Sequence, residues 1–415
     1  MSTPAAPKPF DLIVFGATSF VGQIMTTYLV QHLGVNGDIA WAIASRSESK
    51  LAELKATLGE AANDLPVLLA DSHNEASLQN LCNQTRVILS TVGPYALYGE
   101  LLIKSCAENG TDYADLTGEA HWIKQMKDKY QQTAQASGAR IVNCCGFDSI
   151  PSDMGVFAMQ KQAQSQFGHP MPHAKLRVKA MKGGASGGTI ASMIEALKAA
   201  KADPAVRKQM GNPYLLCGSD HQYSQRGLSV SRPQFDREFN NWIAPFVMEA
   251  INSRVVLHSN ALLGMAYGKN FSYTEGMLTG TGLKGRVAAI ASAVGFGLVG
   301  VCLYFNTTRA LLTKFVLPAP GEGPSPEAQL NGYFDVRVHG RDDHGNNVTV
   351  KVTGDRDPGY GSTAKMLAQA GLCLAMDISK TDHPGGFTTP SVAMGDALLE
   401  RLESHAGLGF EVIEI

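Results

Sequence analysis

Apolar positions in the first 145 residues fall into short continuous runs, separated by stretches in which they return every three or four residues. The runs at 12–15, 39–44, 67–70, 87–90 and 141–144 predict strands, with a shorter one at 113–115; the stretches at 23–33, 48–58, 75–82, 100–109 and 120–137 predict helices. Strands and helices in strict alternation require a parallel sheet with helices on both faces, so residues 1–150 read as an α/β domain of Rossmann-like, doubly wound type. The pattern then changes. Residues 173–180 alternate strictly between basic and apolar, 190–200 have helical spacing, and 333–338 and 348–352 look like further strands. A second unit over 151–353 follows, with 354–415 as a C-terminal segment. At 415 residues the chain exceeds the size at which single cores usually stop growing, ~250–300 residues, which also argues for two domains.

Composition removes several classes of function. The formal net charge is −2 and there is no long run of like charge, so the basic footprint of a nucleic-acid binder is missing. Hydrophobic residues make up 44% of the chain, the balance of a globular protein and not of a disordered or polytopic membrane chain. The seven cysteines form no C-x-x-C pair and no histidine stands at metal-ligand spacing, so neither a disulfide framework nor a metal site is expected. The vicinal Cys144-Cys145 end an apolar run and read as buried structural thiols. The first ten residues carry three prolines, one lysine and no apolar core; no secretory signal is expected there, and a cytoplasmic location is.

Chemistry enters at the first strand-to-helix turn, Gly16-Ala17-Thr18-Ser19-Phe20-Val21-Gly22. A glycine turn delivering backbone amides to a helix N-terminus is a pyrophosphate site, with Gly22 allowing close helix–strand packing and Ser19 standing where a central glycine is usual. After the second strand, where an NAD enzyme places a carboxylate for the ribose 2′-hydroxyl, the chain reads Ser45-Arg46-Ser47 with Lys50 one turn on. A guanidinium fork there suits a 2′-phosphate, so NADP is expected in preference to NAD. Asp71-Ser72 would reach the adenine edge, and Thr91-Val92-Gly93-Pro94 would pass beneath the nicotinamide.

GATSFVG, the stretch from Ser90 to Glu119, and CCGFDSIPSDMG ending at Gly155 together resemble the saccharopine dehydrogenase-like oxidoreductase family. GDRDPGYGSTAKMLAQAGLCLA (354–375) and PSVAMGDALLERL (390–402) are similar to one branch of it, the mycobacterial-type trans-acting enoyl reductases. The resemblance implies an NAD(P)-binding Rossmann domain, a second α+β domain packed over the nicotinamide, a C-terminal segment returning toward the first domain, and activity on lipid-like substrates.

The second unit offers a substrate side. The basic positions Lys175, Arg177 and Lys179 would line one face of a strand, either solvated or forming a groove for an acidic carrier. Residues 183–189 form a glycine loop before a helix, in which Ser186, Gly187, Gly188 and Thr189 can bind a carbonyl oxygen or simply turn the chain. Residues 287–305 are uncharged and flanked by Lys284, Arg286, Arg309 and Lys314, the pattern of a helix inserted in an anionic membrane surface, of a core or homodimer helix, or of a span. The expected function is an NADPH-preferring reductase of an apolar, lipid-like or carrier-bound enoyl or carbonyl compound near a membrane. Tyr95 or Tyr98 would be the proton donor, with Asp148 and Asp153 as alternatives. Two rivals stand beside it. An amino-acid-linked dehydrogenase would need a carboxylate-binding arginine pair, for which Arg177 and Arg207 are the nearby residues; a cofactor-binding scaffold would show no turnover.

Overall fold

A computed structural model describes residues 8–184, 187–317, 322–381 and 383–414. Fourteen strands occur among them: β1 (Phe10–Phe15), β2 (Trp41–Ser45), β3 (Val67–Leu69), β4 (Thr85–Ser90), β5 (Asp112–Asp115), β6 (Arg140–Val142), β7 (His173–Lys182), β8 (Gln234–Asp236), β9 (Asn241–Ala244), β10 (Ser272–Gly280), β11 (Tyr333–Arg341), β12 (Asn347–Gly354), β13 (Gly386–Thr388) and β14 (Leu408–Ile413). They form two seven-stranded sheets, ordered β13-β6-β5-β4-β1-β2-β3 and β14-β12-β11-β7-β10-β9-β8.

The first sheet is parallel throughout, and its strand order reverses between β1 and β4 as a doubly wound topology requires. Alternation along β1 divides its side chains between two cores. Leu12 and Val14 face Met25 and Leu29, while Ile13 and Phe15 face Leu78, Leu81 and Leu102. The C-terminal segment completes this domain: β13 extends the sheet beside β6, and the helix Thr363–Met376 covers the Leu12 face with Met366, Leu367 and Ala370. A buried ion pair anchors the returning chain. The Arg140 guanidinium meets Asp112 at 2.5 Å, with both side chains almost inaccessible, and donates to the carbonyls of Leu374 and Ile378.

The second sheet is mixed, with β7 and β10 parallel and the other pairs antiparallel. Leu176, Val178, Val336, Val338, Val350 and Val352 share one core, against which the helix Ile150–Phe167 packs. On the other face the expected cationic stripe is not open. Asp236 and Glu238 from the β8–β9 hairpin close over Lys175 and Arg177, so both charges are compensated and Arg177 is buried. Only Lys179 stays exposed.

The uncharged run belongs to the helix Gly282–Tyr304, followed at once by the helix Asn306–Phe315. It is not a core helix. Only 11% of its most apolar 18-residue window is buried, and Leu283, Leu298 and Phe315 are 76%, 61% and 70% exposed. Both ends of this insertion return to the same sheet, since β10 precedes it, β11 follows it, and both pair with β7.

Replacing Arg140 by Met should destabilise the protein by roughly 3 kcal/mol or more, because the buried Asp112 loses its bidentate partner. Thermal denaturation checks this; an unchanged Tm would deny the anchor its importance.

Candidate active site

The turn after β1 is shaped by contacts with the loop after β4. Gly16 has φ +88°, and a Cβ there would lie 2.6 Å from Val92 Cγ2. At Gly22 a Cβ would lie 2.2 Å from the Gly16 carbonyl, so the helix Phe20–Leu33 approaches as closely as it does only with glycine. Ser19 caps that helix by accepting from the Gly22 amide at 3.0 Å, and it is hydrogen-bonded to Thr91 Oγ1, which in turn donates to the Gly16 carbonyl. Ser19 and Thr91 therefore fix the loop instead of presenting free hydroxyls. The first-turn amides of Phe20 and Val21 have no intrahelical partner and are left for an anion. Ala17 is buried behind them, and Thr18 Oγ1 pairs with Ser45 at 2.9 Å, joining the turn to the end of β2.

Arg46 follows Ser45 with its side chain exposed, and Lys50 is exposed one turn later in the helix that Ser47 caps. At the end of β3, Asp71 accepts from the His73 amide, Ser72 is buried, and the His73 ring stands 5.5 Å from Tyr98 in edge contact. Tyr98 ends the short helix Tyr95–Tyr98 that follows Pro94, and its amide donates to the Pro94 carbonyl at 3.2 Å, so it stays beside the Gly93-Pro94 loop while its ring also meets His73. For Tyr95 the expectation of an available proton donor does not hold. It is buried under the Gly93 loop, donates to the Ser90 carbonyl at 3.0 Å, accepts from the Leu116 amide at 3.2 Å and lies against Trp122. Burial, reinforced by the nearby Asp115, pushes its phenol well above the usual range. Its role is to brace the loop.

Glu119, which sequence reasoning passed over, holds the same loop from the β5 side. Its carboxylate accepts from the amides of Tyr95 and Ala96, each at 2.9 Å, and is almost fully buried. The available signal was an acidic residue just before the helix that follows β5, within the stretch from Ser90 to Glu119.

Asp148 lies between β6 and the helix Ile150–Phe167, partly exposed, with Oδ2 3.5 Å from where a Cβ of Gly118 would stand. Desolvation, then the charge of Glu275, raises its carboxyl to about 7. It can thus hold a transferable proton near neutral pH. Asp153 is different: it accepts from Ser259 at 2.5 Å and from the Ser391 amide at 2.8 Å, fully buried, and serves structure. Cys144 and Cys145 are buried as expected.

The second glycine loop reaches the same region. Ser186 lies outside the described residues, but Gly187 donates to the Glu322 carbonyl, Gly188 is exposed, and Thr189 Oγ1 is bonded to the Tyr360 hydroxyl at 3.2 Å. Tyr360 makes edge contact with Phe20, so this loop, the C-terminal segment and the glycine turn meet. One turn along the helix Gly187–Ala202, Ser192 Oγ is 3.9 Å from where a Cβ of Gly93 would stand. No cluster of three metal-ligating side chains occurs among the described residues.

Residues 12–142 match the family model described as the saccharopine dehydrogenase NADP binding domain. The chain is 38% identical over 423 residues, covering 99% of both proteins, to a Mycobacterium tuberculosis protein named as a trans-acting enoyl reductase. It is 35% identical over 406 residues, 96% of each, to the trans-acting enoyl reductase of Mycobacterium bovis. Its fold superposes on apo saccharopine dehydrogenase (L-Glu forming) from Saccharomyces cerevisiae with a TM-score of 0.54 and 13% identity, over 97% of this chain and 100% of that one.

The cofactor is NADP, and the free amides of the glycine turn with the exposed Arg46 fit its pyrophosphate and 2′-phosphate. Arg46→Ala should weaken NADPH binding roughly tenfold or more, the value of a charge-assisted hydrogen bond, while leaving NADH affinity unchanged. Fluorescence titration with both cofactors reads this; equal losses for the two would remove Arg46 from the 2′-phosphate.

Proposed function

This chain belongs to the trans-acting enoyl reductase family and is an NADP-dependent oxidoreductase; we propose on that premise that it reduces the carbon–carbon double bond of a long, apolar enoyl compound at a membrane surface. The observation that carries this reading is the helix Gly187–Ala202. At its start it stands over Gly93 through Ser192, and at its end Lys201 lies 5.0 Å over the Tyr304 ring of the exposed apolar helix. One half-buried helix thus joins the nicotinamide side of the cleft to a face with the composition of a lipid contact. That face has a mean hydropathy of 2.1 and basic flanks at Lys284, Arg286, Arg309 and Lys314, which favour an anionic leaflet. Because both ends of the insertion return to one sheet, it enters the bilayer without crossing it.

Bound NADPH supplies the hydride, which an enoyl substrate takes at its β-carbon. The Gly16–Gly22 turn and Arg46 would hold its phosphates, Glu119 fixes the Gly93 loop, and the exposed Gly188 in the Gly187–Thr189 segment would offer its amide to the substrate carbonyl. Asp148 donates its proton to the α-carbon and is recharged from solvent, so the substrate gains one hydride and one proton in all. The amino-acid rival is not favoured. Arg177 is buried against Asp236 and Thr274, and Arg207 sits on a separate helix, so the pair a substrate carboxylate would require is not assembled.

With a long-chain 2-enoyl thioester, Asp148→Asn should lower turnover roughly 10²-fold while leaving NADPH affinity intact. Since the donor must be protonated, wild-type turnover should fall as pH rises through about 7. Wild-type turnover by the Asn variant would remove Asp148 from the chemistry. On anionic vesicles the protein should float, and a Val294→Asp, Leu298→Asp variant should not. A parent that does not float but sediments as a dimer would instead give the apolar face to a second copy of the chain.

A further inference from the structure

Glu275 has no part in the steps above, yet its position requires an explanation. It lies in the middle of β10, fully buried, between Tyr273 and Met277 on the same strand face. Its Oε1 accepts from the Tyr273 hydroxyl and from Ser152 Oγ, each at 2.7 Å, and Oε2 accepts from Asn252 Nδ2 at 2.9 Å. None of these partners is a cation. The nearest charged groups are themselves acidic: Glu249 accepts from the Glu275 amide at 3.2 Å, and Asp148 feels the Glu275 charge from the turn before Ser152. The guanidinium of Arg177 on the neighbouring strand is turned to Thr274 and Asp236 on the opposite sheet face. A buried carboxylate held by three neutral donors, facing other carboxyls, is a costly arrangement where an apolar residue would pack more simply.

Ser152 connects it to the reaction. It stands four residues after Asp148 in the first turn of the helix Ile150–Phe167, so the Ser152–Glu275 bond fastens that turn to the second sheet. Resting on the reading of Asp148 as proton donor, we propose that Glu275 is its positioning residue: through Ser152 it fixes the turn that carries Asp148. When ionised, Glu275 also disfavours a second negative charge on Asp148. Two carboxyls in one low-dielectric region do not both ionise easily, so the ionised state of one holds the other neutral. In keeping with this, both carboxyls are raised to about 7, each chiefly by burial. The other titratable groups around the pair are Tyr273 on β10, Glu249 and Asp153 on the flanking helices, and Cys144 after β6; none supplies positive charge.

The pH profile of kcat/KM for NADPH oxidation with a long-chain 2-enoyl thioester tests this. Glu275→Gln keeps the shape and removes the charge; its descending limb should move down by about one pH unit, with the rate recovering toward wild type at acid pH. Glu275→Asp should restore the limb. A structural role alone would lower the rate at every pH and leave the limb in place. The same shift should be read without substrate, as the carboxyl stretch of Asp148 titrating lower in difference infrared spectra, a band identified by its loss in Asp148→Asn. An unmoved limb in Glu275→Gln overturns the inference. Full activity in Asp148→Asn overturns the donor reading itself, so the two failures are distinct. If the Gln variant does not fold, Glu275→Met, which removes the charge with an apolar side chain of similar volume, decides by the same reading: a limb moved down supports the inference, and an unmoved limb overturns it.

Discussion

The burial of carboxyl groups where the chain crosses from the first sheet to the second is the constraint on which the rest of this structure depends. Between Asn143 and Asp153 the backbone leaves β6 and begins the helix Ile150–Phe167, and bonds reach it from every side. Asp115 takes the Cys144 and Cys145 amides through its side chain and carbonyl, Thr363 takes the Phe147 amide, Glu275 takes Ser152, and Ser259 and Ser391 hold Asp153. Each buried carboxyl must be hydrogen-bonded or protonated, and these are one or the other. Asp115, Asp153 and Glu275 are well supplied with donors, whereas among the described residues no such donor set surrounds Asp148. The carboxyl that is both partly accessible and poorly satisfied is the one suited to giving up a proton.

The cofactor side is built on the same logic of fixed neighbours. The glycine turn keeps its shape because Ser19 and Thr91 bond each other and the Gly16 carbonyl, and the loop after β4 keeps its shape because Tyr95 and Glu119 hold it from below and beside. Groups that resemble chemistry in the sequence are therefore spent on geometry, and what remains facing outward is backbone amide and the Arg46 guanidinium. The apolar helices carry the opposite logic. They lack neighbours, and their exposure is tolerable only where lipid or another apolar partner covers them.

The Rossmann half was legible from periodicity because its central strands are buried on both faces and its helices turn one apolar side to them; the helices at 48–58, 100–109 and 120–137 end where capping and glycine residues end them. The second sheet was only partly legible, since β8, β9 and β14 are short or exposed and carry no alternation that separates them from loop. The glycine turn and Arg46, the candidate cofactor residues, could be picked out from chain order alone. Among the candidate proton donors, the sequence could not set Tyr95 aside, because a tyrosine after a GP turn and a buried tyrosine look identical in sequence, and only packing shows that its hydroxyl is already bonded. Glu275 left a trace in the pattern, a carboxylate among apolar positions of one strand face, but its meaning needed Ser152, which is distant in the chain.

On the proposed reading, hydride and proton add across the carbon–carbon double bond of a long enoyl chain with this protein's own carboxyl as acid. Mass spectrometry of the product formed from a long-chain 2-enoyl thioester tests it most directly, using NADPH deuterated on the nicotinamide ring in water and then unlabelled NADPH in heavy water. The account predicts one deuterium at the β-carbon in the first case and one at the α-carbon in the second. Label on a carbonyl carbon, or turnover confined to amino-acid substrates, would contradict it.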